Sequence, residues 1–247
     1  MGTTYSIKAI PLKKNTDIQI LKKGIDSVLF SLDKQMSTWD PNSEISQFNL
    51  THSTEPYAIS ESFMMVVKEA LDVSEKTDGF FDITVFDLMG LWGFGPDPNS
   101  GIPDQKQVET VLSFTGHEKI NVTEKTIIKK HPETKLDLNA IAKGYAVDEV
   151  FHFLKSRGYT DLFVEIGGEV QCSGRNQRNK YWSIGIENPS GGNKPDRMFS
   201  AIVYSDSGAV ATSGNYRNYV NIDGEILGHT INPKTGYPIQ TNVLSVT

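Results

Sequence analysis

A histidine near the C-terminal end of the chain stands among residues that suit acid–base chemistry. His229 opens the segment HTINPKTGYP, residues 229–238, which is rich in turn-forming and hydroxyl side chains. Neutral imidazole can accept the proton of a hydroxyl nucleophile, so this context favours a general base. A lone histidine is more often structural, and the spacing alone leaves both interpretations open.

Two further segments combine aromatic residues with short polar ones. Residues 36–49, MSTWDPNSEISQFN, place Trp39 after a predicted helix, and residues 77–96, TDGFFDITVFDLMGLWGFGP, include Phe80, Phe81 and Asp82. Aromatic rings offer flat walls to a heterocycle, and glycines let backbone amides approach a ligand. Packing of Trp39 onto the core and a purely structural aromatic loop are the alternatives. The second segment is neither a Walker loop nor Gly-x-Gly-x-x-Gly, so neither standard phosphate cradle is predicted.

A fourth segment places polar residues just before a predicted helix. Residues 136–148 read LDLNAIAKGYAVD, and capping is the ordinary role of Asp137 and Asn139 at such a position. A helix N-terminus can also bind an anion, and Lys143, one turn inside, would add charge for a diphosphate. In a separate predicted hairpin, Glu165 and Glu169 could lie beside a metal, although solvent-facing charges are the commoner explanation.

The overall composition excludes several classes of protein. The chain has 247 residues, of which 38% are hydrophobic and 22% charged, and its net charge is -6. This balance is typical of a soluble globular protein, and the absence of a Lys/Arg stripe argues against nucleic-acid binding. The single cysteine, Cys172, excludes an internal disulfide and a cysteine-based zinc site.

Hydrophobic periodicity predicts a mixture of helices and strands. Helices are expected at residues 17–35, 61–77, 106–112 and 140–157, with Ser60 or Ser62 as the cap of the second. Strands are expected at 4–10, 162–166, 170–173, 182–187, 200–205, 208–212 and 219–222, with a strand pair within 120–129. Residues 79–100 are predicted to form a long loop. The two kinds of element do not alternate strictly, which favours an α+β fold with mainly antiparallel sheets and several packed amphipathic helices.

Taken together, these segments resemble the ApbE family, the FAD:protein FMN transferases. DGFFDIT at residues 78–84 and HTINPKTG at 229–236 carry much of the likeness, which runs in register from the initial MGTTY to the last residues. The resemblance implies one flavin transferase domain over residues 1–247. It also implies an enzyme that attacks the diphosphate of FAD, releases AMP and links FMN through a phosphoester to a threonine of an acceptor protein.

The resemblance also implies roles for individual residues. It makes His229 the base that activates the acceptor hydroxyl, and it makes the backbone carbonyl of Ala140 a ligand of Mg²⁺. The positions that match the family's FAD contacts are Met1, Trp39, Phe80, Phe81, Asp82, Asp137, Lys143 and Ile231. The family's acceptors include subunits of membrane-bound redox pumps, and nothing in the sequence selects among acceptors.

The two ends of the sequence give further expectations. Family members continue past residues 243–247 into a helix that carries an Asp and a Thr as metal ligands, so we expect this sequence to be truncated there. We likewise expect an N-terminal export segment to have been trimmed, which places the protein at the outer face of the cytoplasmic membrane or in the periplasm; a cytoplasmic form is the alternative.

Three other functions fit parts of the sequence. An FAD pyrophosphatase would use water as the nucleophile and release FMN and AMP. A non-catalytic flavin-binding protein would keep the pocket without transfer, and missing metal ligands would favour it. A purely structural β-rich protein would need no polar cluster around His229 and should bind no flavin.

Overall fold

The computed structural model describes residues 2–11, 17–190, 198–215, 219–222 and 225–247. The chain forms two compact units. Unit 1 comprises Met1–Phe30, Lys143–Tyr216 and Val243–Thr247, and unit 2 comprises Ser31–Ala142 and Arg217–Asn242. Met1, one of the predicted FAD contacts, lies outside the described residues.

Helices and strands are interleaved along the chain. The helices are α1 (Ile18–Met36), α2 (Glu44–Leu50), α3 (Glu61–Lys76), α4 (Phe86–Leu91), α5 (Gln105–Leu112) and α6 (Ala142–Ser156). The strands are β1 (Tyr5–Ala9), β2 (Tyr57–Ala58), β3 (Ile120–Val122), β4 (Thr126–Lys129), β5 (Leu162–Ile166), β6 (Glu169–Ser173), β7 (Trp182–Glu187), β8 (Phe199–Ser205), β9 (Ser207–Val210), β10 (Ser213–Gly214), β11 (Tyr219–Ile222), β12 (Glu225–Gly228) and β13 (Ser245–Val246). None of the described helices holds a stretch long and apolar enough to cross a membrane.

Unit 1 is built on a four-stranded antiparallel sheet in the order β1-β5-β6-β9. The turn between β5 and β6 consists of Gly167 and Gly168 at φ 61° and 102°, a region of backbone space that glycine enters without steric cost. Between the two helices of this unit, an added Cβ at Gly24 of α1 would lie 2.1 Å from the ring of Phe153 on α6. Because position 24 is glycine, the ring of Phe153 on α6 can pack directly against the backbone of α1.

Unit 2 contains the three-stranded sheet β2-β4-β3 and the hairpin β11-β12. Helix α3 begins where the sequence predicts, because the Ser60 hydroxyl accepts a hydrogen bond from the Phe63 amide. Helix α5 begins with a capping box formed by Asp104 and Gln107. One buried apolar cluster joins α4, α5, β12 and the residues that follow β12; its members are Leu88, Trp92, Val108, Leu227 and Ile231.

The predicted α+β class with antiparallel sheets is confirmed, and one element of the prediction is wrong. Residues 79–100 are not one long loop, because residues 86–91 form helix α4. Four glycines in this stretch obscure the helical pattern, but Leu88 is fully buried in the apolar cluster and Trp92 follows the helix in the same cluster. Tertiary packing stabilises a helix whose local sequence has low helical propensity.

A lysine is buried at the end of β4. The side chain of Lys129 is only 1% exposed, and its ammonium donates to the Thr51 carbonyl at 2.7 Å and lies 4.6 Å from the ring centroid of Phe48. Burial, with a smaller effect of the Lys135 charge, lowers the pKa of Lys129 from 10.5 to about 8. The folded protein therefore loses this proton at a lower pH than the unfolded chain.

This difference in pKa predicts a pH-dependent stability. Above pH 8 the unfolded chain retains a proton that folded Lys129 releases, so the free energy of unfolding should rise with pH until about pH 10.5. Urea denaturation should show a gain of roughly 2 kcal/mol between about pH 7.5 and about pH 9.5 that Lys129→Met lacks. An equal pH dependence in the variant would assign the gain to other groups.

Candidate active site

Leu136 and Asp137 form a short segment outside the strands, at the centre of the candidate site in unit 2. The side-chain amide of Asn49 donates to the Leu136 carbonyl at 2.8 Å, and its oxygen accepts from the Leu136 amide, also at 2.8 Å. Asn49 is 6% exposed and Leu136 is fully buried. The Asn49 side chain therefore supplies both hydrogen bonds that a neighbouring strand would give, which a buried backbone requires.

The next residue, Asp137, is held by its backbone and by its side chain. Its amide donates to the Ile83 carbonyl at 2.7 Å, and its carboxylate accepts from the backbone amide of Asn139 at 2.7 Å and from the Asn139 side chain at 3.0 Å. Burial raises the pKa of the Asp137 carboxyl, and the two bonds from Asn139 oppose this shift. The carboxylate thus caps the turn before α6, while the first residue of the helix is Ala142.

Asn139 brings the Trp39 segment to the same place. The Asn139 side-chain nitrogen lies 3.5 Å from the Thr38 hydroxyl. The neighbouring Trp39 side chain is 66% exposed, so its ring does not pack into the core. The alternative in which Trp39 staples the turn to the core does not fit this exposure, and the ring is available to stack on a planar ligand.

Asp82 lies in the interior, between two loops. Its carboxylate accepts hydrogen bonds from the amide and the hydroxyl of Thr84, at 2.8 and 2.6 Å, and from the His117 amide at 2.6 Å. Its side chain is 3% exposed. The carboxylate is therefore occupied by groups of the protein itself, whereas the predicted contact with FAD stays a prediction.

The two phenylalanines that precede Asp82 differ in exposure. Phe80 is 61% exposed, and Phe81 is half-buried. The ammonium of Lys234 lies 4.5 Å from the Phe80 ring centroid and donates to the Asp78 carboxylate at 2.6 Å. These contacts join the phenylalanine segment to the segment that carries His229.

His229 follows directly after β12 and is half-buried. Its ring meets the ring of Phe94 edge to face, with centroids 6.3 Å apart. The turn beyond it is fixed by Trp92, whose indole N–H donates to the Gly236 carbonyl at 2.6 Å. The side chain of Ile231 lies in the buried cluster with Trp92, so this residue anchors the segment, and its predicted contact with FAD stays a prediction.

Lys143 belongs to unit 1. Its ammonium donates to the carboxylate of Glu169 at 2.8 Å, and its aliphatic stem packs beside Gly167, where an added Cβ would lie 3.1 Å from Lys143 Cδ. Glu165 accepts a hydrogen bond from the Gly168 amide at 2.8 Å. The predicted strand–Gly-Gly–strand hairpin is confirmed, and both of its carboxylates have partners in the protein.

The predicted metal ligand, Ala140, lies in the turn before α6 and is exposed. Its carbonyl accepts no backbone hydrogen bond from the described residues, so this oxygen fits the preference of Mg²⁺ for oxygen ligands. Within the described ranges, however, no group of three or more His, Cys, Asp or Glu side chains could hold a metal. The Ala140 carbonyl is therefore one suitable oxygen ligand, and no cluster of three such side chains accompanies it among the described residues.

The sequence did not single out several residues that organise the site. Asn49, Thr84 and His117 hold the segments together, and Gly236 receives the bond from Trp92. Asn49 and Thr84 lie inside the segments that the sequence picked out. His117 lies in none of these segments, and its role depends on a contact distant in sequence, which one sequence does not reveal.

Comparison with known proteins places the chain in a family. A model of the ApbE family matches residues 1–247. The chain belongs to the ApbE family. Over 248 residues it is 41% identical to the FAD:protein FMN transferase of Vibrio cholerae serotype O1, covering all of this chain and 73% of that protein. The prediction of an ApbE-family enzyme is confirmed.

Solved structures show the same relationship. The flavin transferase ApbE from Vibrio cholerae superposes with a TM-score of 0.89 at 40% identity, covering 99% of this chain and 77% of that one. The apo form of the Pseudomonas stutzeri flavinyl transferase ApbE superposes with a TM-score of 0.88 at 32% identity, covering 99% and 75%. The shared fold thus extends over nearly the whole of this ApbE-family chain.

The two hydrogen bonds from Asn49 predict a large loss of stability on substitution. Asn49→Leu keeps a similar size but leaves the buried amide and carbonyl of Leu136 without partners, and should lower the free energy of unfolding by about 2–4 kcal/mol. The exposed neighbour Gln47 is the control, since Gln47→Met should change stability by no more than about 0.5 kcal/mol. Similar small losses for both variants in urea denaturation would contradict the role of Asn49.

Proposed function

We propose that this ApbE-family chain transfers the FMN moiety of FAD to a threonine hydroxyl of an acceptor protein and releases AMP. The observation that carries the proposal is the family match over residues 1–247, with relatives named FAD:protein FMN transferase. The arrangement of unit 2 supports it, because the segments around Trp39, Phe80 and Asp137 are joined by contacts with common partners. The exposed rings of Trp39 and Phe80, with the Asp137 carboxyl on a connected segment, suit a planar, polar heterocycle.

In the proposed reaction, the threonine oxygen attacks the phosphorus that belongs to the FMN half of FAD. A new P–O bond forms to threonine, and the P–O bond to the AMP half breaks. AMP leaves with the bridging oxygen, and the hydroxyl proton passes to the imidazole of His229. A hydroxyl is a weak nucleophile without such a base. The imidazole of His229 lies edge to face with the ring of Phe94, a defined location that supports this role.

Asp137 of unit 2 is proposed to bind FAD before the reaction. Positioning and charge neutralisation account for most catalysis of phosphoryl transfer. Asp137 is held by backbone and side-chain bonds, so its carboxyl is preorganised for a hydrogen bond to the ligand. The fixed backbone around it lowers the cost of binding.

We propose Mg²⁺ as the cofactor, with the Ala140 carbonyl as one of its ligands. The exposure of this residue and the lack of a backbone donor to its oxygen among the described residues support the assignment. A bound Mg²⁺ would neutralise charge on the diphosphate. The protein's own side chains carry out the other two roles: His229 accepts the proton, and Asp137 binds FAD.

The experiment that tests this proposal measures the nucleotide products. The protein is incubated with FAD, Mg²⁺ and a threonine-containing acceptor domain, or without acceptor, and AMP and free FMN are quantified by chromatography. A transferase forms AMP only with acceptor and leaves little free FMN. Equal amounts of free FMN and AMP without acceptor would establish a pyrophosphatase instead, and intact FAD in both samples would favour a flavin-binding protein without transfer.

Loss of the proposed base should separate binding from reaction. His229→Ala should slow FMN transfer by about 10²–10⁴-fold and leave FAD affinity nearly unchanged, because a base acts only during the reaction. His52, which pairs with Glu133 on an exposed surface of unit 2, provides the control variant His52→Ala. Equal losses of affinity and rate in His229→Ala would contradict the role of a base.

Removal of the metal provides a separate prediction. Treatment with EDTA should abolish FMN transfer, and added Mg²⁺ should restore it, because the proposed metal neutralises the diphosphate. The measurement is the rate of AMP release in the presence of acceptor, before and after readdition. Undiminished turnover in EDTA would remove Mg²⁺ from the proposal without affecting the family assignment.

A further inference from the structure

The carboxylate of Asp82 joins two loops that are far apart in sequence. Asp82 Oδ1 accepts from the Thr84 amide and hydroxyl at 2.8 and 2.6 Å, and Oδ2 accepts from the His117 amide at 2.6 Å. The Thr84 hydroxyl in turn accepts from the Gly116 amide at 2.7 Å. We call this set of four hydrogen bonds the Asp82 knot. Residues 82–84 and 116–117 are thereby fixed to each other.

The Asp82 knot encloses the residue that holds Asp137. Ile83 lies between Asp82 and Thr84, and its side chain is fully buried. Its carbonyl accepts the hydrogen bond from the Asp137 amide at 2.7 Å. Any shift of the turn at residues 82–84 therefore moves the acceptor that fixes the Asp137 backbone.

The surroundings of Asp82 disfavour direct contact with a ligand. Its side chain is 3% exposed, and both oxygens already accept hydrogen bonds from the protein. The imidazole of His117 lies 3.4 Å from Oδ2 and covers it further. A ligand atom could reach this carboxylate only after buried hydrogen bonds had broken, which is costly.

The geometry points to Asp82 as a positioning residue that acts on FAD binding through Ile83 and Asp137. This inference rests on the proposed function, in which Asp137 binds FAD. It differs from the role that the family resemblance implied, a direct contact of Asp82 with FAD. Thr84 belongs to the same device, because its hydroxyl both donates to Asp82 and accepts from Gly116.

Equilibrium titration of FAD, followed by flavin fluorescence, tests the inference without turnover. Asp82→Asn removes one acceptor, and Asp137→Ala removes the proposed ligand; the two are measured singly and together. Thr84→Val breaks the Asp82 knot without changing charge, and Thr84→Ser retains the hydroxyl as the matched control. Thermal unfolding of each variant identifies those that fold.

The inference predicts a specific pattern of affinities. Asp82→Asn and Thr84→Val should each weaken FAD binding about tenfold, and Thr84→Ser should leave it nearly unchanged. With Asp137→Ala already present, Asp82→Asn should cause no further loss, since interacting residues are not additive. If Asp82→Asn does not fold, the contrast between Thr84→Val and Thr84→Ser, alone and with Asp137→Ala, decides the question.

Two sets of results would overturn the inference. Additive losses from Asp82→Asn and Asp137→Ala would show that Asp82 contributes to FAD binding independently of Asp137. Unchanged FAD affinity in folded Asp82→Asn and Thr84→Val, or in Asp137→Ala, would break the proposed chain of effects. Failure of the unsubstituted protein to bind FAD would instead overturn the proposed function, so the two failures are distinguishable.

Discussion

The arrangement of unit 2 depends on the need to pair buried backbone groups outside regular structure. Leu136 and Asp137 lie in no strand, yet Leu136 is fully buried. The side-chain amide of Asn49 pairs with the backbone N–H and C=O of Leu136, and the carbonyl of Ile83 pairs with the N–H of Asp137. An unpaired buried N–H or C=O would cost about 1–3 kcal/mol, so this constraint fixes helix α2 and the segments at residues 82–84 and 136–137 to one another. These hydrogen bonds therefore hold the Asp137 side chain in a defined place on irregular backbone.

Much of the fold could be predicted from the sequence, because most elements carry a clear hydrophobic period. Helix α3 has the expected cap at Ser60, and β5 and β7 have the expected bounds. Helix α4 was missed, because its stability comes from burial of Leu88 among residues far apart in the chain rather than from local propensity. Short β-bridges such as β10–β13 have no periodic signal that one sequence could show.

Prediction of the candidate site from the sequence has a different limit, which is the orientation of side chains. Residue types and order identified the segments around Trp39, Phe80, Asp137 and His229, and the structure connects the first three through Thr38, Ile83 and Asn139. The orientation of each side chain could not be predicted. The family resemblance implies that Asp82 and Ile231 contact FAD, and the sequence does not show that Asp82 lies within a hydrogen-bond network and Ile231 within an apolar cluster. Burial is a property of the whole chain rather than of a motif.

Intact-mass spectrometry of an acceptor domain tests the central claim of FMN transfer most directly. The domain is incubated with this protein, FAD and Mg²⁺, alongside a control domain in which the target threonine is replaced by valine. The account predicts the added mass of one phosphoester-linked FMN on the threonine domain and none on the control. An unchanged mass for the threonine domain, with FAD bound or cleaved in the same sample, would contradict it.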